Sequence, residues 1–209
     1  MPGRPLPAPL PEPRLDAAAL RRLDAFLDLL LRWNARINLV ADAAPEAIRT
    51  RHLADSLQLL SLLPDDATAL ADLGSGGGFP GLVLAAATDR PVHLVESDHR
   101  KAAFLTEAAA RLGLRHVRVH ATRIENLRLP PVGVVTARAL APLSVLLGHA
   151  SRLLAPGGTA IFPKGRTASA ELTAASVEWT FRAEQFASRT DPEATILRIH
   201  DIRCSAADA

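Results

Sequence analysis

Apolar residues recur at helical spacing near the start of the chain. The stripe consists of Leu20, Leu23, Leu27 and Leu30. It follows an acidic cap at Asp16 and predicts an amphipathic helix that ends near Trp33-Asn34. A second helix is predicted from Pro45, a favoured first helical residue, to about Leu60. Together they predict an N-terminal helical appendage over residues 15–64.

From Ala69 onward the pattern changes to strands that alternate with helices. The predicted strands are TALADL, PVHLVE, HVRVHA, VGVVTA and GTAIFPK. The segments VEWTFRAEQF and ATILRIHDI predict a closing antiparallel pair. Regular alternation of this kind is typical of an α/β fold with a mostly parallel, doubly wound, Rossmann-like sheet. We expect this sheet to form the second domain, residues 65–209.

The first 14 residues differ from both regions because they contain six prolines, in MPGRPLPAPLPEPR. Such a segment lacks the apolar core of a signal peptide and predicts a disordered leader. A docking peptide for a proline-binding partner is the alternative.

Composition excludes several classes of protein. No run of 18 apolar residues occurs, so we expect no transmembrane helix. A single cysteine, Cys204, excludes a disulfide framework and suits the cytoplasm. The sequence positions of His93, His116, His120, His149 and His200 show no metal-ligand spacing, and we expect no metal.

The stretch ADLGSGGGFPG, residues 71–81, follows the first predicted strand of the sheet and fits two cofactor patterns. Gly76, Gly78 and Gly81 spell G-x-G-x-x-G, which is typical of dinucleotide sites. The residues from Asp72 to Gly78 also spell D-x-G-x-G-x-G, which is typical of adenosylmethionine-dependent methyltransferases.

Electrostatics favours the methyltransferase pattern. A dinucleotide presents an anionic pyrophosphate to such a loop, where the Asp72 carboxylate would repel it. Adenosylmethionine carries an ammonium and a sulfonium, and we expect Asp72 to help hold that end. Glu96 ends the second strand of the sheet, where a carboxylate accepts hydrogen bonds from ribose hydroxyls in either class of enzyme.

Two motifs that other methyltransferases use are missing, which limits the atoms that could accept the methyl group. Exocyclic adenine methylation typically uses an Asn/Asp-Pro-Pro-aromatic stretch after the fourth strand, where this chain has Thr136-Ala137-Arg138-Ala139-Leu140. Carbon-5 methylation of a pyrimidine needs a cysteine nucleophile, and Cys204 lies in the tail. A purine N7 has its own lone pair and needs neither device.

Short motifs occur in the order found in one bacterial family. They are Trp33-Asn34, Asn38-Leu39, Arg51-His52, Asp55-Ser56, Gly74–Gly81, Arg138-Ala139 and Lys164-Gly165. In this ordered set the chain resembles the bacterial 16S rRNA guanine-N7 methyltransferases, the RsmG or glucose-inhibited division protein B family, over roughly residues 16 to 200. Val40-Ala41 departs from the Thr that often follows Asn-Leu in the family.

The resemblance implies methylation of guanine 527 of 16S rRNA with S-adenosyl-L-methionine as methyl donor. It also implies cofactor contacts at Gly74, Phe79, Ile124-Glu125 and Arg138. The complete set of expected cofactor contacts is Asp72, Gly74, Ser75, Gly76, Gly78, Phe79, Glu96, Ile124, Glu125 and Arg138. The substrate expected is an assembled small-subunit ribosomal particle, and the protein is expected to be a monomer.

Four residues are expected to serve the reaction itself: Arg138, Lys164, His52 and Asp55. Arg138 ends the fourth strand of the sheet and faces the expected cleft, where it either meets a ligand or forms a structural ion pair. His52 and Asp55 share the inward stripe of the second helix, where they either hydrogen-bond to each other and anchor the appendage or border the cleft. Neither is expected to be a general base, because N7 has no proton to remove.

Other roles stay open at this stage. Lys164 and Arg166 end the fifth strand of the sheet and either grip RNA phosphate or form a solvated surface. Phe79 either stacks on the cofactor or packs under the loop, and Glu125 either contacts the cofactor or caps a helix. A small-molecule methyltransferase and an adenosylmethionine-binding regulator without turnover remain alternative functions.

Overall fold

The computed structural model describes residues 10–205. The first helix, α1 (Ala17–Asn34), begins where the sequence predicts, because Asp16 accepts a hydrogen bond from the backbone N–H of Ala19 at 2.6 Å. Leu23, Leu27 and Leu30 of its predicted stripe are buried. Leu20 is 51% exposed, so it does not join the core.

The second helical segment, residues 45–62, starts at Pro45 as predicted but is not a uniform α-helix. It consists of α2 (Pro45–Ala47), a π-helical stretch (Ile48–Leu53), α3 (Ala54–Leu57) and a 3-10 stretch (Gln58–Leu62). The wide π-helical turn is frequent at functional sites and here carries His52.

Seven strands form one sheet in the order β3-β2-β1-β4-β5-β7-β6. Their bounds are β1 (Leu70–Leu73), β2 (Val92–Glu96), β3 (Val117–Ala121), β4 (Val132–Ala137), β5 (Leu154–Lys164), β6 (Trp179–Ala187) and β7 (Thr195–Cys204). The first five strands are parallel, and β7 is antiparallel to both β5 and β6. The predicted parallel sheet with a closing antiparallel pair is confirmed.

Helices cover both faces of this sheet. They are α4 (Gly81–Ala86), α5 (His99–Arg111), α6 (Leu143–Leu153) and α7 (Ala168–Ala175), with a 3-10 turn at Ile124–Asn126. Connections between parallel strands require such crossovers, which bury both faces of the sheet.

The core extends across the boundary that we predicted near residue 64. One apolar cluster joins Phe26 and Leu30 of α1 and Ile48 of the second helical segment to Leu70 of β1 and Phe104 of α5. The helical appendage is therefore packed into the main core and does not stand apart from the sheet.

Two residues of the predicted disordered leader, residues 1–14, contact the fold. Leu10 is buried in the same apolar cluster, and Glu12 forms an ion pair with Arg189 at 3.4 Å. Leu10 packs on the fold because its side chain is apolar, residues 1–9 lie outside the described part, and disorder of the leader stays a prediction. None of the helices within residues 10–205 combines the length and apolar character that crossing a bilayer demands.

Candidate active site

The candidate site lies where the direction of the sheet order reverses, between β1 and β4. From β1 the chain continues to β2 on one side, and from β4 it continues to β5 on the other. Leu73 and Ala137 are register partners at the ends of β1 and β4, so Gly74 and Arg138 follow neighbouring strand ends. Ligands of doubly wound sheets bind in the crevice at this point.

The loop after β1 depends on glycine. Gly74, Gly76 and Gly78 have φ angles of 69°, 53° and 91°, in the left-handed region that side chains disfavour. A Cβ on Gly74 would stand 2.7 Å from a methyl group of Leu140, so the Leu140 side chain lies directly on the loop. The glycine-rich spacing thus reflects both backbone shape and close approach.

Two carboxylates occupy the backbone N–H groups that a diphosphate would need. The N–H of Gly76 donates to Glu96 Oε2 at 2.9 Å, and the N–H of Gly81, the first residue of α4, donates to Asp72 Oδ2 at 3.1 Å. Pyrophosphate binding relies on free N–H groups at such a loop and helix start. This arrangement disfavours a dinucleotide and suits a cationic nucleoside.

Asp72 performs this role from beneath the loop. It is fully buried, and its other oxygen accepts from the Thr136 hydroxyl at 3.0 Å. Burial raises the pKa of Asp72 to about 6, against hydrogen bonds that lower it. The Asp72 side chain has no exposed surface and supports the loop from below, and its direct contact with the cofactor stays a prediction.

Glu96 and Ser75 are also held by the loop. Glu96 Oε1 accepts from the N–H of Asp98 at 2.8 Å, which leaves lone pairs on both carboxylate oxygens for ribose hydroxyls. Ser75 is buried, and its hydroxyl donates to the carbonyl of Asp72 at 3.0 Å. Glu96 keeps 8% of its surface exposed and Ser75 only 1%, so Glu96 is the more accessible of the two.

Phe79 packs under the loop, which favours the second of its two open roles. The residue is 4% exposed, and its ring lies 5.4 Å from the Phe26 ring and 5.1 Å from the His52 ring, centroid to centroid. The Arg138 guanidinium carbon stands 5.3 Å from the Phe79 centroid, in a cation–π arrangement. Phe79 therefore joins α1, the second helical segment and β4.

Arg138 is the centre of this junction. Its Nη1 lies 2.9 Å from His52 Nδ1 and 3.6 Å from Asp55 Oδ2, and 21% of its side chain stays exposed. Burial lowers the pKa of Arg138, while the carboxylates of Asp55 and Asp72 raise it. Because an arginine only donates, His52 Nδ1 accepts this bond and its proton lies on Nε2.

The direct His52–Asp55 hydrogen bond that we weighed is absent within residues 10–205, and both side chains instead meet Arg138. Burial first, and then the charges of Arg138 and Arg51, lower the pKa of His52 to about 4, so the ring is neutral at pH 7. Burial raises the pKa of Asp55, and Arg138 opposes that shift. The pair thus borders the site through the arginine that it orients.

The turn that carries Ile124 and Glu125 follows β3, next to the end of β2. Ala121 and Glu96 are register partners, so this turn lies at the same edge of the sheet as Glu96. Arg152 of α6 donates to the carbonyl of Glu125 at 2.8 Å and also to that of Ile124. The Glu125 side chain is exposed and caps no helix, whereas Ile124 packs against the core.

Lys164 is not free to grip phosphate. Its Nζ donates to Glu171 Oε2 at 2.7 Å and to the Ala141 carbonyl at 2.9 Å, and only 9% of the side chain is exposed. Glu171 also accepts from the N–H of Leu143. Burial alone would raise the pKa of Glu171, but the hydrogen bonds it accepts and the charge of Lys164 together lower it. Lys164 therefore fixes the β4–α6 loop, whereas Arg166 is 78% exposed and pairs with Glu193 at 3.6 Å.

A cleft of about 1040 Å³ opens beside the glycine loop. Its lining comes from the ends of β4 and β5, the β6–β7 loop and the second helical segment, and includes Arg51, Arg138, Leu140, Lys164 and Asp191. Leu140 belongs both to this lining and to the contact with Gly74. The cleft and the glycine loop therefore meet at Leu140.

Comparison with known proteins agrees with this geometry. The family model described as GidB, rRNA small subunit methyltransferase G, matches residues 19–194. Proteins named ribosomal RNA small subunit methyltransferase G from Acidiphilium cryptum and Granulibacter bethesdensis are 58% and 56% identical to the chain. The first alignment covers 88% of this chain and 86% of the relative, and the second covers 87% and 84%.

The chain belongs to the small-subunit rRNA methyltransferase G family.

Solved structures of more distant proteins have the same fold as this chain. An O-methyltransferase from Bacillus cereus in complex with SAH aligns with a TM-score of 0.57 at 20% identity, over 85% of this chain and 91% of that one. The N-methyltransferase NodS from Bradyrhizobium japonicum, in complex with S-adenosyl-l-homocysteine, gives a TM-score of 0.55 at 16% identity, over 84% and 97%. The predicted Rossmann-like class I methyltransferase fold is confirmed.

Sequence patterns missed several residues that build the site. Glu171, Gln58 and Thr190 hold Lys164 and Asp55 in place but belong to no motif. Gln58 is buried, donates to Asp55 at 2.9 Å and to Ser188 at 3.1 Å, and accepts from the N–H of Arg189. The sequence signal that could have indicated Gln58 is its position as a polar residue between Leu57 and Leu59.

Proposed function

We propose that the protein transfers a methyl group from S-adenosyl-L-methionine to N7 of a guanine in 16S rRNA. The observation that carries this proposal is the glycine loop whose N–H groups are occupied by Asp72 and Glu96, opening at Leu140 onto a cleft large enough for a nucleotide. Family membership supplies the substrate class, small-subunit rRNA.

The residues present fit the cofactor. Glu96 offers carboxylate lone pairs to two ribose hydroxyls, and the Ile124–Glu125 turn beside it offers an apolar side chain and backbone groups to the adenine. Arg138 offers a cation to the carboxylate of the methionine end. When bound, the cofactor supplies a methyl group on a positively charged sulfur.

No general base is required. The N7 lone pair of the guanine is the nucleophile, and one positive charge passes to the purine ring as the carbon–sulfur bond breaks. Asp55 is already engaged by Arg138, Gln58 and Thr190, and neutral His52 accepts from Arg138, so both act by orienting Arg138. Catalysis is then a matter of positioning two substrates, which lowers the entropic part of the barrier.

Leu140 is placed to separate the two substrates. One side of it lies on Gly74, and its exposed surface, 39% of the residue, lines the cleft. Ala139 before it has a φ angle of 51°, a conformation that costs energy for a residue with a Cβ. Lys164 and Glu171 stabilise this loop and keep Leu140 over the glycines.

The acceptor is an RNA base displaced from its stack. The cleft is open and carries charged groups, whereas a small-molecule enzyme of the alternative class needs a closed apolar pocket. Arg51 lines the cleft, and within residues 10–205 it forms no ion pair, so it is available for phosphate. We take the substrate to be an assembled small-subunit particle in the cytoplasm, and the enzyme to act as a monomer.

A transfer assay tests the proposal. The purified protein and methyl-labelled adenosylmethionine are incubated with small-subunit particles that lack the modification, with naked 16S rRNA and with a small-molecule extract. We expect label in 7-methylguanosine of the particle RNA. Label confined to small molecules, or cofactor binding with no product on any RNA, would contradict it.

A further inference from the structure

Three carboxylates line the cleft, and two of them are fully engaged. Asp55 receives Gln58 and Thr190 and pairs with Arg138. Glu171 receives Lys164, Thr167 and the N–H of Leu143. The third is Asp191, in the loop between β6 and β7.

Asp191 differs from the other two because most of its hydrogen-bonding capacity is unused. Within residues 10–205 its side chain receives one bond, from the N–H of Glu193 to Oδ1 at 2.9 Å, and forms no ion pair. It is exposed on the wall of a cleft that also carries Arg51 and Arg138. A carboxylate at this place repels RNA phosphate, so its presence in a nucleic-acid cleft calls for a partner that donates hydrogen bonds.

The register of the sheet gives the spacing between Leu140, which follows β4, and Asp191, which precedes β7. Thr195 at the start of β7 is the partner of Lys164 at the end of β5, so the β6–β7 loop lies at the same edge of the sheet as the end of β4. Two strand spacings, about 10 Å, separate β4 from β7.

This span suits a guanine seen edge-on. Its N7 lies on one edge of the purine, and its N1–H and N2–H₂ donors lie on the opposite, Watson–Crick edge. An extruded base is commonly identified through that second edge. With N7 directed at the Leu140 and Gly74 end of the cleft, the two donors face Asp191.

We infer that Asp191 is a specificity-determining residue that accepts hydrogen bonds from the Watson–Crick edge of the target guanine. This inference rests on the proposed function and adds the recognition of the base to it. Adenine presents a lone pair at N1, which a carboxylate repels, so Asp191 selects guanine over adenine although both purines have a nucleophilic N7. The bond to N1–H and N2–H₂ also sets the direction of N7.

The alternative is a purely structural role for Asp191, because its hydrogen bond from the N–H of Glu193 forms a turn within the loop. Asparagine makes the same turn. Asp191→Asn therefore keeps the loop and removes the charge and one acceptor, which separates the two roles. Glu193→Gln is the matched control: it neutralises an exposed carboxylate two residues further on that pairs with Arg166 and does not line the cleft.

The experiment measures kcat/KM on small-subunit particles that carry either guanine or adenine at the target position. For Asp191→Asn we expect the guanine-over-adenine ratio to fall by on the order of 10- to 100-fold, mainly through lost activity on guanine. For Glu193→Gln we expect the wild-type ratio. An Asp191→Asn ratio within twofold of wild type would overturn the inference, while the methyl transfer itself would still stand.

A binding measurement makes the outcome independent of folding. Asp191→Asn is expected to bind S-adenosylhomocysteine within twofold of wild type, because Asp191 is placed away from the glycine loop. A parallel loss of cofactor binding and of activity on both bases would assign Asp191 a structural role and overturn the inference. Absence of methyl transfer by the wild-type protein to either particle would instead count against the proposed function.

Discussion

Arg138 shows how one side chain connects the appendage with the site. It contacts a neutral histidine, a carboxylate and an aromatic face, each from a part of the chain far from β4. The planar guanidinium can satisfy all three at once because its donors point in fixed directions. A lysine at this position keeps the charge and loses this geometry.

The first prediction concerns this cluster. Arg138→Ala should lower kcat/KM by about 100-fold or more, because it removes the proposed cofactor contact and leaves Asp55 buried without its cation. His52→Ala should lower it by about 10-fold or less, because Arg138 keeps Asp55 and Phe79 as partners. Steady-state kinetics with a melting-temperature control checks both. Complete inactivity of a folded, cofactor-binding His52→Ala variant would contradict the mechanism without a base.

Asp72 gives a second prediction, on stability against pH. Its pKa is raised from 3.8 to about 6, so the folded protein holds the proton more tightly than the unfolded chain. Its stabilising contribution is complete below about pH 4 and is lost as pH rises through 6, in total about 3 kcal/mol. The lowered pKa of His52 acts in the opposite sense, so the wild-type curve alone is ambiguous.

Asp72→Asn isolates the effect. An asparagine can accept from the N–H of Gly81 and donate to the Thr136 hydroxyl, so the variant should fold. Its free energy of unfolding, measured by urea denaturation, should gain on that of wild type between pH 4 and pH 7. A constant difference over this range would show that Asp72 does not titrate there.

For single residues, the sequence predicted the glycine loop better than the side chains that hold the site in place. Spacing alone located the glycines and Glu96, because φ angles and strand ends are encoded locally. It did not indicate the hydrogen bond that buries Asp72 under the loop, because its partner Thr136 is 64 residues away. Lys164 seemed free for the same reason, since nothing local indicates Glu171 as its partner.

Elements of the fold are held together around Gln58. Its side chain in the second helical segment bonds to Ser188 and to the N–H of Arg189, and Asp55 next to it bonds to Thr190. The β6–β7 loop is thereby tied to the helical appendage. This loop also carries Asp191 to the cleft wall.

The third prediction tests this tie. Gln58→Ala should destabilise the protein by about 2 kcal/mol, because it leaves the N–H of Arg189 without its acceptor and removes one hydrogen bond each from Asp55 and Ser188. Amide hydrogen exchange should increase in residues 188–194. Ser61→Ala, whose exposed hydroxyl bonds to the Gln58 carbonyl, is the control and should change neither. Unchanged exchange in Gln58→Ala would mean that the loop is held by other contacts.

Hydrophobic periodicity predicted most elements and their order, because apolar faces must meet a core. It failed for the π-helical stretch, whose wider turn follows no 3.6-residue pattern. It also failed for Leu20, which lies in line with the stripe but is exposed, because Ala19 is the buried residue in that turn of α1. The contact of Leu10 was missed because prolines suggested a free leader, whereas Leu10 reaches the core.

For the whole molecule, the positions of individual arginines matter more than the net charge. The net formal charge is only +2, yet Arg51 lines the cleft while Arg115 lies exposed just before β3, at the opposite edge of the sheet. Binding of a ribosomal particle should therefore depend on particular arginines and only weakly on total charge.

The fourth prediction follows from this distribution. Arg51→Gln should weaken particle binding and reduce the slope of log K against log salt by about 0.8, the effect of one phosphate contact. Arg115→Gln removes the same charge and should leave the slope unchanged. Equal slopes for the two variants would place the RNA elsewhere on the surface.

The most direct measurement is mass mapping of 7-methylguanosine in 16S rRNA from cells with and without the gene. We expect one methylated guanine in the parent, its loss in the deletion strain, and its return with the wild-type gene but not with Arg138→Ala. An identical 16S rRNA methylation pattern in parent and deletion strains would contradict the assignment of this cleft to guanine N7.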